Sequence, residues 1–346
     1  MTVEVLFIGD PHIQVKNLPD VKVLVERLIN LAISKKPDII IIGGDLLHHH
    51  ERLHTLALNA AYDMVNEMRK ITKTYILVGN HDYIQNQQFL TKNHWMNGIK
   101  EWNNTVVVDL VVSETIRGEK FIFVPYVPPG RFKEALDTFD GEWQDASCIF
   151  AHQEFAGCKM GAIVSVEGDK WPLTDPAVVS GHIHSKQSPQ PNVYYSGSAM
   201  QHAFGESEKN IIACLTFEEG EYVNDEVDLG LPRKKIVYMD VEDMENYLPK
   251  ETQDKIKVTL TGSYEQFKAV KKTKKYKNLI RSGTKVVFKP KGLIPSEGSE
   301  KLSGDNADFG LVLYDLILKE KNPYLSQVYE LIVNGKQKEL DDVIFL

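Results

Sequence analysis

The sequence predicts an α/β fold built on a buried, largely parallel sheet, and two observations carry this prediction. Short apolar runs alternate with longer amphipathic segments, which is the punctuation of βαβ units. Polar residues with oxygen or imidazole donors follow each of the main apolar runs, which are residues 5–8, 39–42, 75–78, 149–151 and 178–179. Because the carboxyl ends of parallel strands meet at one edge of a sheet, these donors are expected to converge there.

The other elements follow in order along the chain. Helical patterns predict helices over 18–35, 54–70 and 131–139. The runs 192–196, 211–217 and 221–227 are typical of successive strands and predict a second, more antiparallel sheet. After Leu231-Pro232 the composition changes. A strand at 256–260, a helix capped by Ser263 and a strand at 285–288 then predict a small α+β cap domain.

The last part of the chain predicts two short amphipathic helices after a polar linker. Their apolar residues are Phe309, Leu313, Leu316 and Ile317, then Leu325, Val328, Tyr329 and Ile332. Two interpretations stay open: the helices dock on a partner protein, or they pack on their own domain. The predicted organisation is a catalytic domain over 1–230, a capping and DNA-contact domain over 231–292, and a linker with C-terminal helices over 293–346.

Composition indicates an intracellular globular protein. The chain has 346 residues, of which 42% are hydrophobic and 25% charged, so it can bury a full core in more than one domain. The three cysteines, Cys148, Cys158 and Cys214, lack paired spacing and are expected to be reduced and structural. No stretch reaches membrane-spanning length and no signal-peptide pattern precedes the first strand. The expectation is a soluble protein of a bacterial cytoplasm, or of the host cytoplasm if a phage encodes it.

Five polar blocks predict a metal centre. They are Gly9-Asp10-Pro11-His12, Gly44-Asp45, Gly79-Asn80-His81-Asp82, His152 and Gly181-His182-Ile183-His184. In extended backbone, side chains two residues apart point the same way, so Asp10 and His12 are expected to bind one cation together. Carboxylate, imidazole and amide donors favour Mn²⁺, Fe²⁺ or Zn²⁺ over Ca²⁺ or Mg²⁺. A single block is more often a cap or a core residue, but five in order indicate a real centre.

Asp45 is the predicted bridge between two cations. Two divalent ions held about 3.5–4 Å apart, the separation used in phosphate-ester hydrolysis, need a shared carboxylate. Asp45 stands alone after Gly43-Gly44 and fits that position. Five other histidines match none of the blocks and receive no predicted role: His49, His50, His54, His94 and His202.

The five blocks and their order resemble the motifs of the calcineurin-like metallophosphoesterase superfamily. The blocks are D-x-H, G-D, G-N-H-D, H and G-H-x-H, in that order. Two segments are similar to segments of the SbcD-type DNA double-strand-break repair nucleases. They are Asp45-Leu46-Leu47-His48, and Tyr195-Ser196-Gly197-Ser198 leading to Phe204-Gly205-Glu206. The length is closest to phage recombination nuclease subunits. The resemblance covers residues 1–230. It implies a four-layer α/β/β/α sandwich with a small α+β cap domain and C-terminal helices.

The resemblance also implies site roles. By that resemblance two ions, both manganese, would bind. One would be held by Asp10, His12, Asp45 and His184, and the second by Asp45, Asn80, His152 and His182. His81 would face the scissile phosphate and stabilise or protonate the leaving oxygen, and Asp82 would orient its imidazole. His48 would be a second helper near the phosphate.

The function implied is a two-metal, Mn²⁺-dependent DNA nuclease, a 3′-to-5′ exonuclease and single-strand endonuclease in recombination or repair. Nucleases of this type are homodimers that work with an SMC-like, SbcC-like coiled-coil ATPase. Two alternatives stay open. One is a small-molecule or nucleotide phosphodiesterase, and the other is a non-catalytic scaffold that keeps the fold.

A basic segment in the predicted cap supplies a candidate DNA contact. Its seven cations have no acidic residue between them, although the whole chain carries a net charge of −8. Such a concentration of positive charge suits a phosphate backbone, but a solvated helix face is the ordinary alternative. The residues are Lys268, Lys271, Lys272, Lys274, Lys275, Lys277 and Arg281.

Overall fold

A computed structural model describes residues 2–50, 52–249, 252–290, 316–320, 325 and 329. Its strands are β1 Val3–Ile8, β2 Ile39–Ile42, β3 Lys73–Leu77, β4 Thr105–Val108, β5 Val112–Ile116, β6 Glu119–Val124, β7 Cys148–His152, β8 Lys159–Met160, β9 Ile163–Val164, β10 Val178–Gly181, β11 Gln187–Gln190, β12 Val193–Tyr195, β13 Ile212–Glu218, β14 Glu221–Val227, β15 Lys234–Asp240, β16 Lys255–Gly262 and β17 Lys285–Pro290. Its α-helices are α1 Leu18–Lys35, α2 Thr55–Ile71, α3 Phe132–Leu136, α4 Tyr264–Val270 and α5 Lys274–Arg281. Short 3₁₀-helices span Val15–Asn17, Trp95–Ile99 and Val241–Asn246.

Two six-stranded sheets face each other within residues 3–227. Their strand orders are β14-β13-β1-β2-β3-β4 and β11-β12-β10-β7-β6-β5. Alternate residues of a strand point to opposite faces, and β2 follows this rule. Ile39 and Ile41 pack in the core between the sheets with Phe123 and Phe150, whereas Ile40 and Ile42 belong to a different core on the outer face.

Helices cover the outer faces of both sheets. α1 and α2 bury Leu24, Leu28 and Met64 against the first sheet. On the second sheet α3 buries Phe132 in a core that also contains Ile149. The result is helix, sheet, sheet, helix, and the predicted four-layer α/β/β/α class is confirmed.

The predicted second antiparallel sheet is wrong in its pairing. β13 and β14 form a hairpin that joins the first sheet, because β13 pairs antiparallel with β1, with Leu215 opposite Val5. β12 joins the second sheet and runs parallel to β10. The predicted helix 131–139 is also shorter, ending at Leu136, where the Thr138 hydroxyl donates to the Ala135 carbonyl.

The cap residues have a sheet and a core of their own, with strand order β15-β16-β17 and β15 parallel to β16. The predicted strands at 256–260 and 285–288 lie within β16 and β17, and Ser263 caps α4 by accepting from the Gln266 backbone N–H. The sequence predicts one helix here, but the chain forms two, because Thr273 starts α5 by accepting from the Tyr276 backbone N–H.

Residues 1–289 cluster into one unit and 290–346 into another. In the second unit the described residues 316–319 are helical, as are Leu325 and Tyr329. The other residues of the predicted C-terminal helices lie outside the described residues. Within the described part of the chain, Cys148, Cys158 and Cys214 are free and buried. No helix among those residues combines the length and the apolar composition that crossing a bilayer requires.

Candidate metal centre

The polar blocks meet at one edge of the two sheets, as the strand pattern predicts. Asp10 and His12 follow β1, Asp45 follows β2, and His152 is the last residue of β7. Asp45 lies at the middle of the cluster, with its Oδ2 3.4 Å from His12 Nε2 and its Oδ1 3.4 Å from His152 Nε2. It is only 2% exposed. One carboxylate therefore faces imidazoles from both sheets.

The extended backbone expected at Asp10 and His12 is wrong. Asp10, His12, Asp45 and His182 all have positive φ, at 33°, 43°, 48° and 78°. Left-handed backbone is unfavourable for residues with a side chain, and it persists only where the surroundings enforce it. At these four residues the strand has already ended and the chain bends sharply, whereas His152 lies within β7. The bends, rather than the pleat of a strand, direct the side chains inward.

Gly79 permits the tight approach of two of these bends. A Cβ at this position would lie 2.2 Å from both the backbone nitrogen and Oδ1 of Asp45. That separation is far below van der Waals contact, so a larger residue would push the Asp45 turn away. The G-N-H-D block thus begins with the one residue that lets β3 and β2 end side by side.

Two of the donors that the resemblance assigns to the first metal face each other, and a third has an oxygen without a partner. His12 Nε2 and His184 Nε2 are 2.9 Å apart, and Asp10 Oδ2 is buried without a hydrogen-bond partner among the described residues. Burial lowers the pKa of His12 well below its usual range, so its imidazole is neutral and its lone pair is available. An orphaned carboxylate oxygen beside two facing imidazoles fits a divalent cation.

The donors assigned to the second metal converge on the Asn80 amide. Asn80 Oδ1 is 3.1 Å from His152 Nε2 and 2.9 Å from His182 Nδ1. His152 Nδ1 donates to the Gly43 carbonyl at 2.7 Å, which leaves Nε2 free for the site. Burial lowers the pKa of His182 to about 3, so this ring is neutral. The donor atoms of Asp45, His152 and His182 lie within 4.8 Å of one another.

His81 and His48 line the same centre. His81 Nδ1 donates to the His48 carbonyl at 2.7 Å, and its backbone N–H donates to Asp45 Oδ1 at 2.8 Å. His48 Nδ1 lies 3.3 Å from His12 Nδ1. Ring nitrogens of His12, His48 and His81 fall within 4.8 Å of one another. The two predicted helpers are therefore as close to His12 as ligands would be.

The role predicted for Asp82 is wrong. Its carboxylate accepts hydrogen bonds from the backbone N–H groups of Leu46, Leu47 and Gly79 and from the Trp95 indole. The His81 imidazole is oriented by the His48 carbonyl instead. Asp82 ties the end of β3 to the loop after Asp45 and supports the centre through the backbone.

Two histidines without a predicted role belong to the site. The His202 ring lies 4.9 Å from that of His12 and 5.1 Å from that of His184, and its Nε2 donates to the Asp10 carbonyl at 2.9 Å. The His50 ring stacks on His81 at 4.7 Å. The sequence offers one signal for His202, which is its position just before Phe204-Gly205-Glu206. Glu206 approaches His184 Nδ1 at 3.5 Å, so this segment lies beside a proposed metal ligand.

The other three histidines without a predicted role lie around the site rather than in it. His94 pairs with Asp109, His54 caps α2, and His49 rests against the ring of His48.

The basic segment lies mostly on the exposed surface of α4 and α5. Lys268 pairs with Glu265, and Lys271 lies over the Phe288 ring. Tyr276 also stacks on Phe288, so it packs in the cap core. Of the seven cations, Lys275 is half-buried and the others are exposed.

A family model described as calcineurin-like phosphoesterase matches residues 3–186. "Putative phosphoesterase 078R" of Invertebrate iridescent virus 3 is 48% identical over 307 residues, covering 87% of this chain and 88% of that protein. "Putative phosphoesterase 244L" of Invertebrate iridescent virus 6 is 50% identical over 277 residues, covering 78% of this chain and 98% of that protein. A solved structure described as "Structural and Functional Characterization of a Novel Archaeal Phosphodiesterase" is 12% identical, covering 65% of this chain and 100% of that one, with a TM-score of 0.32.

Proposed function

This chain belongs to the calcineurin-like phosphoesterase family, and from that premise we propose that it is a two-metal phosphodiesterase that cleaves DNA. The observation that carries the proposal is the position of Asp45, whose two carboxylate oxygens face separate donor groups. The proposed ligands of the two ions are Asp10, His12, Asp45 and His184 on one side, and Asp45, Asn80, His152 and His182 on the other. Bound divalent cations at such a centre would polarise the phosphate ester and activate water.

The chain's own groups supply positioning and a proton. His81 is proposed to stabilise or protonate the leaving oxygen through Nε2, since its Nδ1 is engaged by the His48 carbonyl. His48, half-buried and beside His12, is the second proposed contact to the phosphate. Burial lowers the pKa of His48 to about 4, so at neutral pH it can act as a neutral donor or acceptor.

DNA is the proposed substrate because an acidic chain carries a concentrated basic surface. The net charge is −8, yet the exposed face of α4 and α5 carries cations with no acidic residue between them in sequence. A phosphate backbone is the ligand that such a surface favours. A small-molecule or nucleotide phosphodiesterase would use the same centre and would not need this surface. The convergence of the donors disfavours a non-catalytic scaffold.

The test compares substrates of two sizes. Labelled single-stranded and duplex DNA and bis-p-nitrophenyl phosphate are each incubated with the protein and Mn²⁺, with Mg²⁺, Zn²⁺ and Ca²⁺ as the comparison ions. The proposal expects cleavage of the small diester and of DNA, with Mn²⁺ the most effective ion and 3′ ends degraded first. Cleavage of the small diester without any cleavage of DNA would support the small-molecule alternative. Cleavage of neither would support the scaffold.

A coiled-coil ATPase and a second copy of the chain are the proposed partners, both by family resemblance. The test is co-purification of the full chain, and of a chain ending at Asp305, with an SbcC-like ATPase from the same source. Loss of binding in the shorter chain, with activity on the small diester kept, supports docking through the C-terminal segment. Full binding by a soluble shorter chain would contradict it. The mass of the full chain in solution tests the homodimer.

A further inference from the structure

A groove opens beside His50, whose ring stacks on His81. It has a volume of about 1110 Å³, and its wall includes Lys16, His49, His50, Arg52, Gln85 and Asn86. That volume exceeds the roughly 300–1,000 Å³ of pockets that enclose drug-sized ligands. The groove therefore suits an extended substrate better than a compact one.

The groove leads directly from the catalytic centre. The His50 ring lines it and stacks on His81 with the ring planes 17° apart, and His50 Nδ1 donates to the Tyr83 carbonyl. His49, also in the wall, lies against His48 at 4.9 Å between ring centres. A substrate with its reacting phosphate at His81 would have its next residues at the mouth of this groove.

The charge of the groove differs from that of the chain. Among the described residues that line it there are two permanent cations, Lys16 and Arg52, and no carboxylate. Both are exposed, and neither forms an ion pair with a described residue. Cations that have no acidic partner among the described residues, in a chain of net charge −8, can pair with phosphates.

Flat and apolar groups lie between the cations. Val15 and Ile84, both in the wall, are 43% and 47% exposed. Histidine rings can stack on unpaired bases, and a basic groove with ring surfaces is the usual way that proteins hold single strands. The amides of Gln85 and Asn86 offer donors and acceptors to base edges. A duplex hides its bases and would leave these groups unused.

We infer that this groove holds a single-stranded polynucleotide next to the phosphate being cleaved, with Lys16 and Arg52 on its backbone. The inference rests on the proposed function and adds the form of the substrate and its path from the centre. It is separate from the basic surface of α4 and α5.

The test uses a double charge reversal, Lys16→Glu with Arg52→Glu. The matched control, Lys133→Glu with Lys170→Glu, makes the same charge change at two exposed lysines that do not line the groove. Hydrolysis of single-stranded DNA, blunt duplex DNA and bis-p-nitrophenyl phosphate is measured with Mn²⁺ over a range of salt. For the groove variant we expect KM for single-stranded DNA to rise about tenfold or more and the salt slope of kcat/KM to fall by about 1.4, as for two lost phosphate contacts. Activity on the small diester should match the control.

The three substrates and the two variants distinguish an error in the groove proposal from an error in the proposed function. If wild-type protein cleaves the small diester and no DNA, the proposed function is wrong and the groove proposal falls with it. If wild-type protein cleaves single-stranded DNA and both variants keep its KM and salt slope, only the groove proposal is wrong. A loss confined to duplex DNA also overturns it. The single variants Lys16→Gln and Arg52→Gln should each give part of the KM increase; an equal loss on the small diester would assign these residues to the centre instead.

Discussion

At the scale of single residues, backbone carbonyls decide which imidazole nitrogen faces the centre. His152 Nδ1 donates to Gly43 and His81 Nδ1 donates to His48, so each ring presents Nε2. Fixing one ring nitrogen by a hydrogen bond is how proteins set the tautomer of a ligand or a general acid. The sequence shows that histidines occur at these positions, but both partner carbonyls come from the segment after β2, and this pairing cannot be predicted from local pattern.

The first prediction separates turnover from metal binding. His81→Ala should keep metal content and lower the rate on a small diester by about 10²–10⁴-fold, the usual contribution of a general acid. His152→Ala, at a proposed ligand, is the contrasting variant and should lose metal as well as activity. Elemental analysis and kcat are measured on both. Loss of metal in His81→Ala would place His81 among the ligands.

The second prediction concerns Asp82 as a support of the backbone. Asp82→Ala removes an acceptor shared by three backbone N–H groups and the Trp95 indole, and leaves buried donors unpaired. The free energy of unfolding should fall by about 2–4 kcal/mol, measured by denaturant titration. If the midpoint stays at the wild-type value while kcat falls, Asp82 acts on the chemistry, as the resemblance implies.

At the scale of elements, periodicity located the strands and helices but not their partners. α1, β2 and β14 have the predicted bounds, because their apolar spacing and end signals are local. The pairing of β13 with β1 joins residues about two hundred positions apart. β13 is buried along most of its length, so its local pattern does not select a partner strand. His202 was missed for the same reason, since it reaches Asp10 only through tertiary packing. The convergence of the five blocks was predictable, because strand ends meet by topology.

The third prediction tests the close approach of two strand ends. Gly79→Ala should displace the Asp45 turn, lower metal content and reduce activity at least tenfold, because its Cβ would lie 2.2 Å from Asp45 atoms. Gly98→Ala is the control, since the nearest atom to its Cβ is the Tyr62 hydroxyl at 3.9 Å. Metal content and kcat are measured for both variants. Wild-type values in Gly79→Ala would mean that the turn has room to move.

At the scale of the whole molecule, charge is distributed unevenly. The chain is acidic overall, whereas the exposed face of α4 and α5 and the groove beside His81 are basic. Long-range attraction between such surfaces and a polyanion acts over about a Debye length and weakens with salt. The basic segment was visible in the sequence because it is continuous. The groove was not, since its residues come from three separate segments of the chain.

The fourth prediction concerns the basic surface of α4 and α5. Reversal of four lysines to glutamate should weaken DNA binding and flatten its salt dependence, because fewer counterions are released, with the small-diester rate unchanged. The substitutions are at Lys271, Lys272, Lys274 and Lys275. The control reverses four exposed lysines elsewhere, Lys22, Lys133, Lys170 and Lys209. Equal affinity and equal salt slopes in the two variants would make this surface a solvated helix face.

The measurement that tests the central claim most directly is the Mn²⁺ stoichiometry of wild-type protein and Asp45→Asn by calorimetric titration. Two ions should bind the wild type, and both should be lost or greatly weakened in Asp45→Asn, because a neutral amide cannot offset two divalent charges held close together. Asp109→Asn is the control for a buried carboxylate elsewhere, paired with His94 and Lys100, and should keep both ions. Two tightly bound ions in Asp45→Asn would contradict the bridging carboxylate and, with it, the proposed two-metal centre.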